Sequence, residues 1–543
     1  MRWDTIVIGS GPGGLTAAAA LVRAGQQVLL LEQDPQPGGW TQGSALNGHR
    51  FSPGIQSIGD LHPGGVMRRI YEGLGLGGDL EFCELNPDGF DHYWIGGDRL
   101  DRPQGLDRWL RRLCDRFPGE RAGIERYFAT LGRLADEVKR CASLRGAERL
   151  KGPFLAPTLC RWGLRSAATL IESCTQDPAL RAVLAAQSGD HGLAPARTSL
   201  PLHAIMAAHY RSGACYPRGG GRRIPQAFLR QFRRYGGEAR MSARAARILV
   251  ERGRAVGVET AEGERLFAGS VVSSVDPAVT CGALLGEREA RARWRAPAED
   301  EGALVSVLCA VDLDLRAMGF DSGNTWWYRS ADVGGIHERM ERGEPGEEVE
   351  FLFLSTPTLK DPGLRQGGIH AVEMFTFVPG ALFGRWRDAA PAAGDEAYAQ
   401  LEAALAARVL EAAERVIPGI RAAQSGFEVA TPLGHGEGSR SLRAAACGAK
   451  VPSPLDPWST SPRGPVDRLY LCGANLLGQG MLGASLAGLS AAQHVLGRER
   501  PEDCLASPDG SLRIHPAERP EEWLPDATAP KRVAAPRRLK EVA

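Results

Sequence analysis

Residues 4–39 read DTIVIGSGPGGLTAAAALVRAGQQVLLLEQDPQPGG, and the fold turns on this stretch. Thr5-Ile6-Val7-Ile8 is a short β-branched run suited to a buried parallel strand. It runs into Gly9-Ser10-Gly11-Pro12-Gly13-Gly14. An alanine-rich helix is predicted over 15–24, Gly25 breaks it, and a second strand over 27–31 ends at Glu32. In a G-x-G-x-x-G turn, Gly9 makes the tight turn, Gly11 lets backbone approach a pyrophosphate, and Gly14 lets helix pack on strand. The helix N-terminus offers N–H groups and partial positive charge to phosphates. Glu32, 21 positions after Gly11, is placed to accept hydrogen bonds from ribose hydroxyls, and its charge would repel a 2′-phosphate. The stretch predicts a dinucleotide site for an unphosphorylated ribose. FAD and NAD both satisfy it.

At 543 residues the chain is long for one core, so two domains, one of them discontinuous, are expected. A formal charge of +1 with 24% charged residues leaves no electrostatic footprint for nucleic acid. The basic residues are almost all Arg, with Lys only at 139, 151, 360, 450, 531 and 540. The 11 Cys form no C-x-x-C pair and no zinc-like cluster with His, which fits reduced thiols and predicts no metal site. No secretory signal is expected ahead of a strand that begins by residue 5, and no run approaches ~18 apolar residues. A cytoplasmic protein is expected, with a peripheral membrane contact left open.

Further segments carry a family resemblance. Gly38-Gly39-Trp40-Thr41 closes the opening unit, and Phe51 to Gly59 reads F-x-x-G-I-x-x-I-G. Ser188 to Arg197 is SGDHGLAPAR, and Tyr216-Pro217-Arg218-Gly219-Gly220 precedes Ile224 and Ala227. Asp361-Pro362, Thr431-Pro432-Leu433 and the run from Leu469 to Gly480, LYLCGANLLGQG, follow. Together they resemble the FAD-dependent phytoene desaturase superfamily, and within it the branch of all-trans-retinol 13,14-reductases and carotenoid isomerases. The likeness spans residues 4–498. This chain has Gln56-Ser57 where the reductases usually have His-Tyr.

The resemblance implies an α/β architecture: a Rossmann-like FAD-binding domain, its parallel sheet discontinuous in sequence, with a second, mixed α+β substrate domain. The expected cofactor parts are 1–80, 213–290 and 461–498. The substrate parts are 81–212, mostly helical, and 291–460, sheet plus helices, and 499–543 is expected to be a disordered tail. Gly9, Gly11, Gly14, Glu32 and Gly39 are the first cofactor residues, and the resemblance gives Ala245 the adenine, held through backbone groups.

The last strand and Gly473 lead into a helix of small residues beginning near Met481 and Leu482. Its N–H groups would face the pyrimidine end of a flavin and stabilise charge gained on reduction. An NAD dehydrogenase needs no such segment, so the first and last stretches together select FAD. Asn475 stands where the reductase branch has an acid. It would hydrogen-bond a ribityl hydroxyl without charge, which favours saturation or isomerisation over oxygen-driven desaturation.

Between Val66 and Phe128 the pattern is helical and charged, with a turn at Asp88-Gly89-Phe90-Asp91. Residues 153–174 read as one amphipathic helix, covering a core or dipping into lipid. Gly219-Gly220-Gly221 is expected to approach the flavin side of the cofactor. His203 and His209, six apart, share no helix face and are read as hydrogen-bonded structural groups. Trp326-Trp327-Tyr328, Phe351, Phe353, Phe375 and Phe377 are either core or the wall of a cavity for a long apolar molecule. The expectation is an FAD-dependent oxidoreductase adding or removing hydrogen at a carbon–carbon bond of a polyene such as a carotenoid or retinoid, with no nameable catalytic acid or base. A flavin-dependent isomerase and a flavin-free prenyl-binding escort are the alternatives.

Overall fold

The computed structural model describes residues 2–144, 152–286, 302–344, 348–386, 394–431, 433, 461–478, 480–508 and 510–524. Pro432, Gln479 and 525–543 lie outside the described residues. The opening run forms the strand Arg2–Ile8 of a seven-stranded sheet, with Val28–Leu31 and Arg265–Ser273 parallel on either side. Glu238–Arg240 extends it beyond Val28–Leu31. The outer edge of Arg265–Ser273 is shared. The hairpin Ala245–Glu251/Arg254–Thr260 takes its first half and Leu469–Leu471 its second. Ile6, Val7, Leu29 and Leu30 are fully buried, as expected of strands covered on both faces.

The helix Pro12–Arg23 leaves the first strand and packs on Gly480–Leu496. A Cβ on Gly488 would lie 2.3 Å from the Gly13 carbonyl oxygen. The small residues of the last helix therefore set how closely the two ends of the chain meet.

The second sheet runs in the order Gln424–Ala430, Gly302–Val311, His370–Pro379, Phe351–Ser355, Asn324–Tyr328, Asp91–Ile95, Asp98–Arg102. It is antiparallel except where Asn324–Tyr328 meets Asp91–Ile95. The last two strands correct the helical reading of 66–128. Their turn is Gly96-Gly97, both with positive φ, and the two-residue Gly-Gly loop matches the right-handed twist of a hairpin. The aromatic residues Trp326, Tyr328, Phe351, Phe353, Phe375 and Phe377 lie on one face of this sheet, in one cluster with helical residues such as Tyr127, Leu131 and Leu184. Phe353 and Phe375 stack at 4.5 Å.

Two other expectations are corrected. Residues 153–174 form three short helices, Gly152–Leu155, Pro157–Trp162 and Ala167–Cys174. Pro157 starts the second, and Ser166 caps the third by accepting from Thr169 N–H. The tail is ordered through Leu524: Arg513–Pro516 pairs in parallel with Glu81–Glu84, which pairs with Cys215–Pro217, and Leu505 packs over Gly73. Its apolar anchors, Cys504, Leu505, Leu512 and Ile514, are few and scattered among polar, charged and proline residues, so they show no periodicity. No helix among the described residues is long and apolar enough to cross a membrane.

Candidate active site

The parallel strands end on one side, and their loops enclose a cavity of about 730 Å³. Gly9 turns the first strand with φ +88, and a Cβ on Gly14 would lie 2.0 Å from the Gly9 carbonyl oxygen. Gly14 thus holds helix against strand beneath the loop, off the cavity wall. Gly9, Gly11, Glu32, Gly39, Ala245, Gly473, Asn475 and Met481 all line the cavity. Leu482 does not; it packs, half-buried, against the core below.

Glu32 ends its strand buried, and its carboxylate accepts from Ser10 N–H at 2.7 Å, from Ser10 Oγ at 2.5 Å and from Asp34 N–H at 3.0 Å. Ser10 Oγ in turn accepts from Gly38 N–H at 3.0 Å. One carboxylate therefore binds the glycine turn and the Gly38-Gly39 turn together. At the other end, the Asn475 amide donates to Asp276 Oδ2, and Asp276 also lines the cavity. This corrects the charge argument made from Asn475: the negative charge missing from that position is restored from the end of a different strand.

The remaining wall comes from the second sheet. Leu308, Glu428 and Ala430 line the cavity together with Pro53 and Gly54. Leu308 pairs with Glu428 on one side and with Glu373 on the other, and Glu373 pairs with Ser355. Ser355, Glu373, Leu308 and Glu428 are therefore one row across four strands. Alternation along each strand puts Glu373 on the same face as Phe375 and Phe377. The sheet face expected to line a cavity does so, but at this row. Trp326, Tyr328, Phe351, Phe353, Phe375 and Phe377 themselves are not on the cavity wall.

Behind Pro53 and Gly54 stand two buried side chains of opposite charge, Lys360 and Glu373, that feel each other electrostatically without touching. Lys360, fully buried, donates to the Gln56 carbonyl at 2.7 Å, Asn324 Oδ1 at 2.6 Å and Ser355 Oγ at 2.7 Å. Three acceptors use the three N–H bonds of an ammonium group. Glu373 accepts from Ser52 N–H at 2.5 Å, while its Oε2 has no hydrogen-bond partner. Burial pushes the Lys360 amine down and the Glu373 carboxyl up, and the opposite charge of each works against the other's shift. The two side chains fasten both ends of the Ser52–Gln56 segment to the second sheet. A Cβ at Gly54 would lie 1.7 Å from the Trp40 carbonyl, so the segment is also pressed onto the Gly39-Trp40 turn.

Gly219-Gly220-Gly221, expected to approach the cofactor, instead docks on this segment. Gly221 N–H donates to Ser52 Oγ at 2.8 Å, and Gly219 N–H donates to Asp361 at 2.7 Å. His203 bonds Tyr127 Oη at 2.6 Å and His209 accepts from Gly59 N–H at 3.1 Å, in the structural roles read for them. The described residues contain no group of His, Cys, Asp and Glu able to hold a metal.

The cavity runs from Ala245 and Glu32, past the glycine turn, to Gly473, Met481 and the second sheet. Its volume lies in the range of cofactor sites, and glycine backbone at Gly9, Gly11 and Gly13 forms part of its wall, as close approach of a dinucleotide pyrophosphate requires. Fold and cavity define a flavoprotein of the two-domain type. The chain belongs to the family of flavin containing amine oxidoreductases, which it matches over residues 12–496. It is an FAD-dependent oxidoreductase. It is 26% identical to the all-trans-retinol 13,14-reductase of Danio rerio, over 91% of this chain and 86% of that protein. It is equally, 26%, identical to the chloroplastic prolycopene isomerase of Arabidopsis thaliana, over 91% of this chain and 82% of that protein. An oxidoreductase from Methanosarcina mazei shares the fold, with a TM-score of 0.60 at 17% identity over 92% of this chain and 100% of that one.

Proposed function

We propose that this enzyme adds or removes hydrogen at a carbon–carbon bond of a long apolar polyene, a carotenoid, retinoid or related isoprenoid. The observation that carries the reading is similarity over nine-tenths of the chain to proteins whose named molecules, retinol and prolycopene, are both conjugated polyenes. Bound FAD supplies a centre that takes up or gives up hydride. Gly9, Gly11 and Gly39 leave room for the pyrophosphate, Glu32 orients the ribose, and backbone at Ala245 meets the adenine. Asn475, with Asp276, holds the ribityl chain, and the helix start at Met481 faces the pyrimidine ring. Gly14 and Leu482 support these contacts from beneath. Leu308, Ala430 and Pro53 give the substrate an apolar wall, and half-buried Leu304 and Phe375 continue the same sheet face.

In this reading residues 1–80, 213–290 and 461–498 make the cofactor domain, and 81–212 with 291–460 make the substrate domain. An apolar substrate reaches a cytoplasmic enzyme from lipid. Phe154, 87% exposed, and Leu164, 70% exposed, support a peripheral membrane contact through 153–174. The deciding test is anaerobic: the protein is purified, its flavin spectrum recorded, the flavin reduced, and all-trans-retinol or a carotene added. Reoxidation with a product two mass units heavier is expected for saturation. Reduced flavin that persists while a geometric isomer forms would make the enzyme an isomerase, and a colourless protein would remove the flavoenzyme reading altogether.

A further inference from the structure

Five acidic or basic side chains line the cavity, and four of them are placed on the cofactor domain: Glu32, Asp34, Arg244 and Asp276. Glu32 is bonded to Ser10, Asp34 accepts from the Gln42 amide at 3.3 Å, and Asp276 accepts from Asn475. Glu428 is the exception. It comes from the second sheet, beside Leu308 and two residues before Ala430, both of which line the cavity with it. Its carboxyl has no hydrogen-bond or ion-pair partner among the described residues, although it is half-buried. An apolar wall with one unengaged carboxyl at the substrate end is a costly arrangement for stability alone.

We propose that Glu428 is the acid of the site, giving its carboxyl proton to one carbon of the substrate double bond while the adjacent carbon accepts hydride from the reduced flavin. The proposal rests on the polyene reading above. Hydride brings an electron pair to one carbon, and the π pair forms the second C–H bond with the proton. The carboxyl O–H bond breaks, the carboxylate recovers a proton from solvent, the double bond gains two electrons, and the flavin loses two. Hydrogen removal runs the same path backwards, with the Glu428 carboxylate as base.

Two features fit the role. Burial holds the Glu428 carboxyl above the usual carboxylate range, which keeps a fraction protonated at higher pH than an exposed Glu would be. The charged groups on elements packed against its strand are Glu396, Glu402, Arg408, Glu411 and Glu414 on the helix Glu396–Glu414, His49 and Arg50 on the hairpin Ser44–Leu46/His49–Phe51, and Glu373 beyond Leu308. Burial and Glu428 raise Glu402 as well. Burial holds His49 below its ordinary value, toward the neutral form.

The test compares wild type, Glu428→Gln and Glu428→Asp as full-length FAD-loaded proteins. Each is reduced with dithionite and mixed anaerobically with all-trans-retinol and, separately, a carotene. Glu428→Gln is expected to keep stoichiometric flavin and to bind polyene within about threefold of wild type, measured by flavin fluorescence quenching. Its flavin should reoxidise at least ~100-fold more slowly. Wild type and Glu428→Asp should lose rate as pH rises through the carboxyl pKa, and Glu428→Gln should lack that limb. A Glu428→Gln rate within about threefold of wild type overturns the proposal. So does a loss of polyene binding that accounts for the whole rate loss, or a loss of flavin by both variants, which would make Glu428 a binding residue. A wild-type enzyme that reduces neither polyene fails the polyene reading, and this inference falls with it.

Discussion

Glu32 shows how much one side chain is asked to do. Its carboxylate is engaged by Ser10 and Asp34, so on the proposed reading a ribose would share an acceptor that already organises the loop. Glu32→Ala is expected to weaken FAD binding by ~1.5–3 kcal/mol, one to two decades, for the lost charged acceptor. Gly11→Val should lower the flavin-to-protein ratio without unfolding the chain, since a Cβ there meets only Ser274 Oγ at 3.4 Å. Gly14→Val should unfold it, because the Cβ collides with backbone. Calorimetric titration with FAD and thermal melts separate the two effects, and a Gly11→Val protein that retains full flavin would falsify the assignment of the turn.

His92 offers a pH prediction at the same scale. Burial alone would lower it, but the hydrogen bonds its ring donates to Asp101 at 2.7 Å and to Asp321 at 2.9 Å overcome burial and raise it from 6.5 to about 9. A raised His stabilises the fold fully below its unfolded value and loses that contribution as pH climbs through the folded one. Stability should therefore fall between pH 6.5 and about 9, and His92→Gln should flatten that slope in denaturant titrations. Individual residues with a local geometry were legible in the sequence: Gly9, Gly11, Gly14 and Glu32 announce the turn, the helix packing and the strand end by spacing. Glu428 did not, because its meaning depends on Leu308 being its neighbour 120 positions away.

Among elements, the Ser52–Gln56 segment depends on Lys360 and Glu373. Removing one charge of a buried pair leaves the other without compensation and costs about 3–5 kcal/mol. Lys360→Met is expected to destabilise the protein by that order, measured by urea unfolding, with Glu373→Gln in the same chain recovering part of it. Equal losses in the single and double variants would show that the two charges do not interact. The only sequence hint was a lysine in a chain that otherwise uses arginine; the acceptors come from Gln56, Asn324 and Ser355, and no local pattern connects them. The hairpin at Gly96-Gly97 is a different failure. Its turn signal was present, but its second flank, Asp98–Arg102, is charged, the pair sits between helices, and the helical pattern prevailed.

The three short helices of 152–174 redirect the membrane prediction. Trp162 packs against the core, with the Arg161 guanidinium 5.6 Å from its ring centroid, whereas Phe154 and Leu164 face outward. Phe154→Glu with Leu164→Glu should abolish flotation with anionic vesicles while leaving the melting temperature unchanged. Trp162→Glu should lower the melting temperature instead. Flotation equal to wild type in the double variant would place the contact elsewhere or remove it.

For the whole molecule, both sheets are assembled from distant parts of the chain. The two-domain architecture was legible because its dinucleotide motif and its final strand–loop–helix are each local signals. The third sheet was not, since three- and four-residue strands from 81, 215 and 513 carry no periodicity of their own. Truncation after Arg498 removes the strand Arg513–Pro516, the Arg68 contacts to Ser511 and Leu512, and the Leu505 packing. It should lower the melting temperature by several degrees and expose Gly73 and Phe82 to solvent, read as increased dye binding.

The late arrival of Leu469–Leu471 and of the helix Gly480–Leu496 has a consequence for how the protein is made. A ribosome delivers chain at about 5–20 residues per second, so the glycine turn emerges many seconds before the strand and helix that close the cavity over it. Until then the second half of Arg265–Ser273 has an unpaired edge and the helix Pro12–Arg23 has no partner for its small-residue side. Flavin loading must therefore wait for release of the nearly finished polypeptide. Cells short of riboflavin would accumulate a complete chain whose first and last segments have nothing between them to hold.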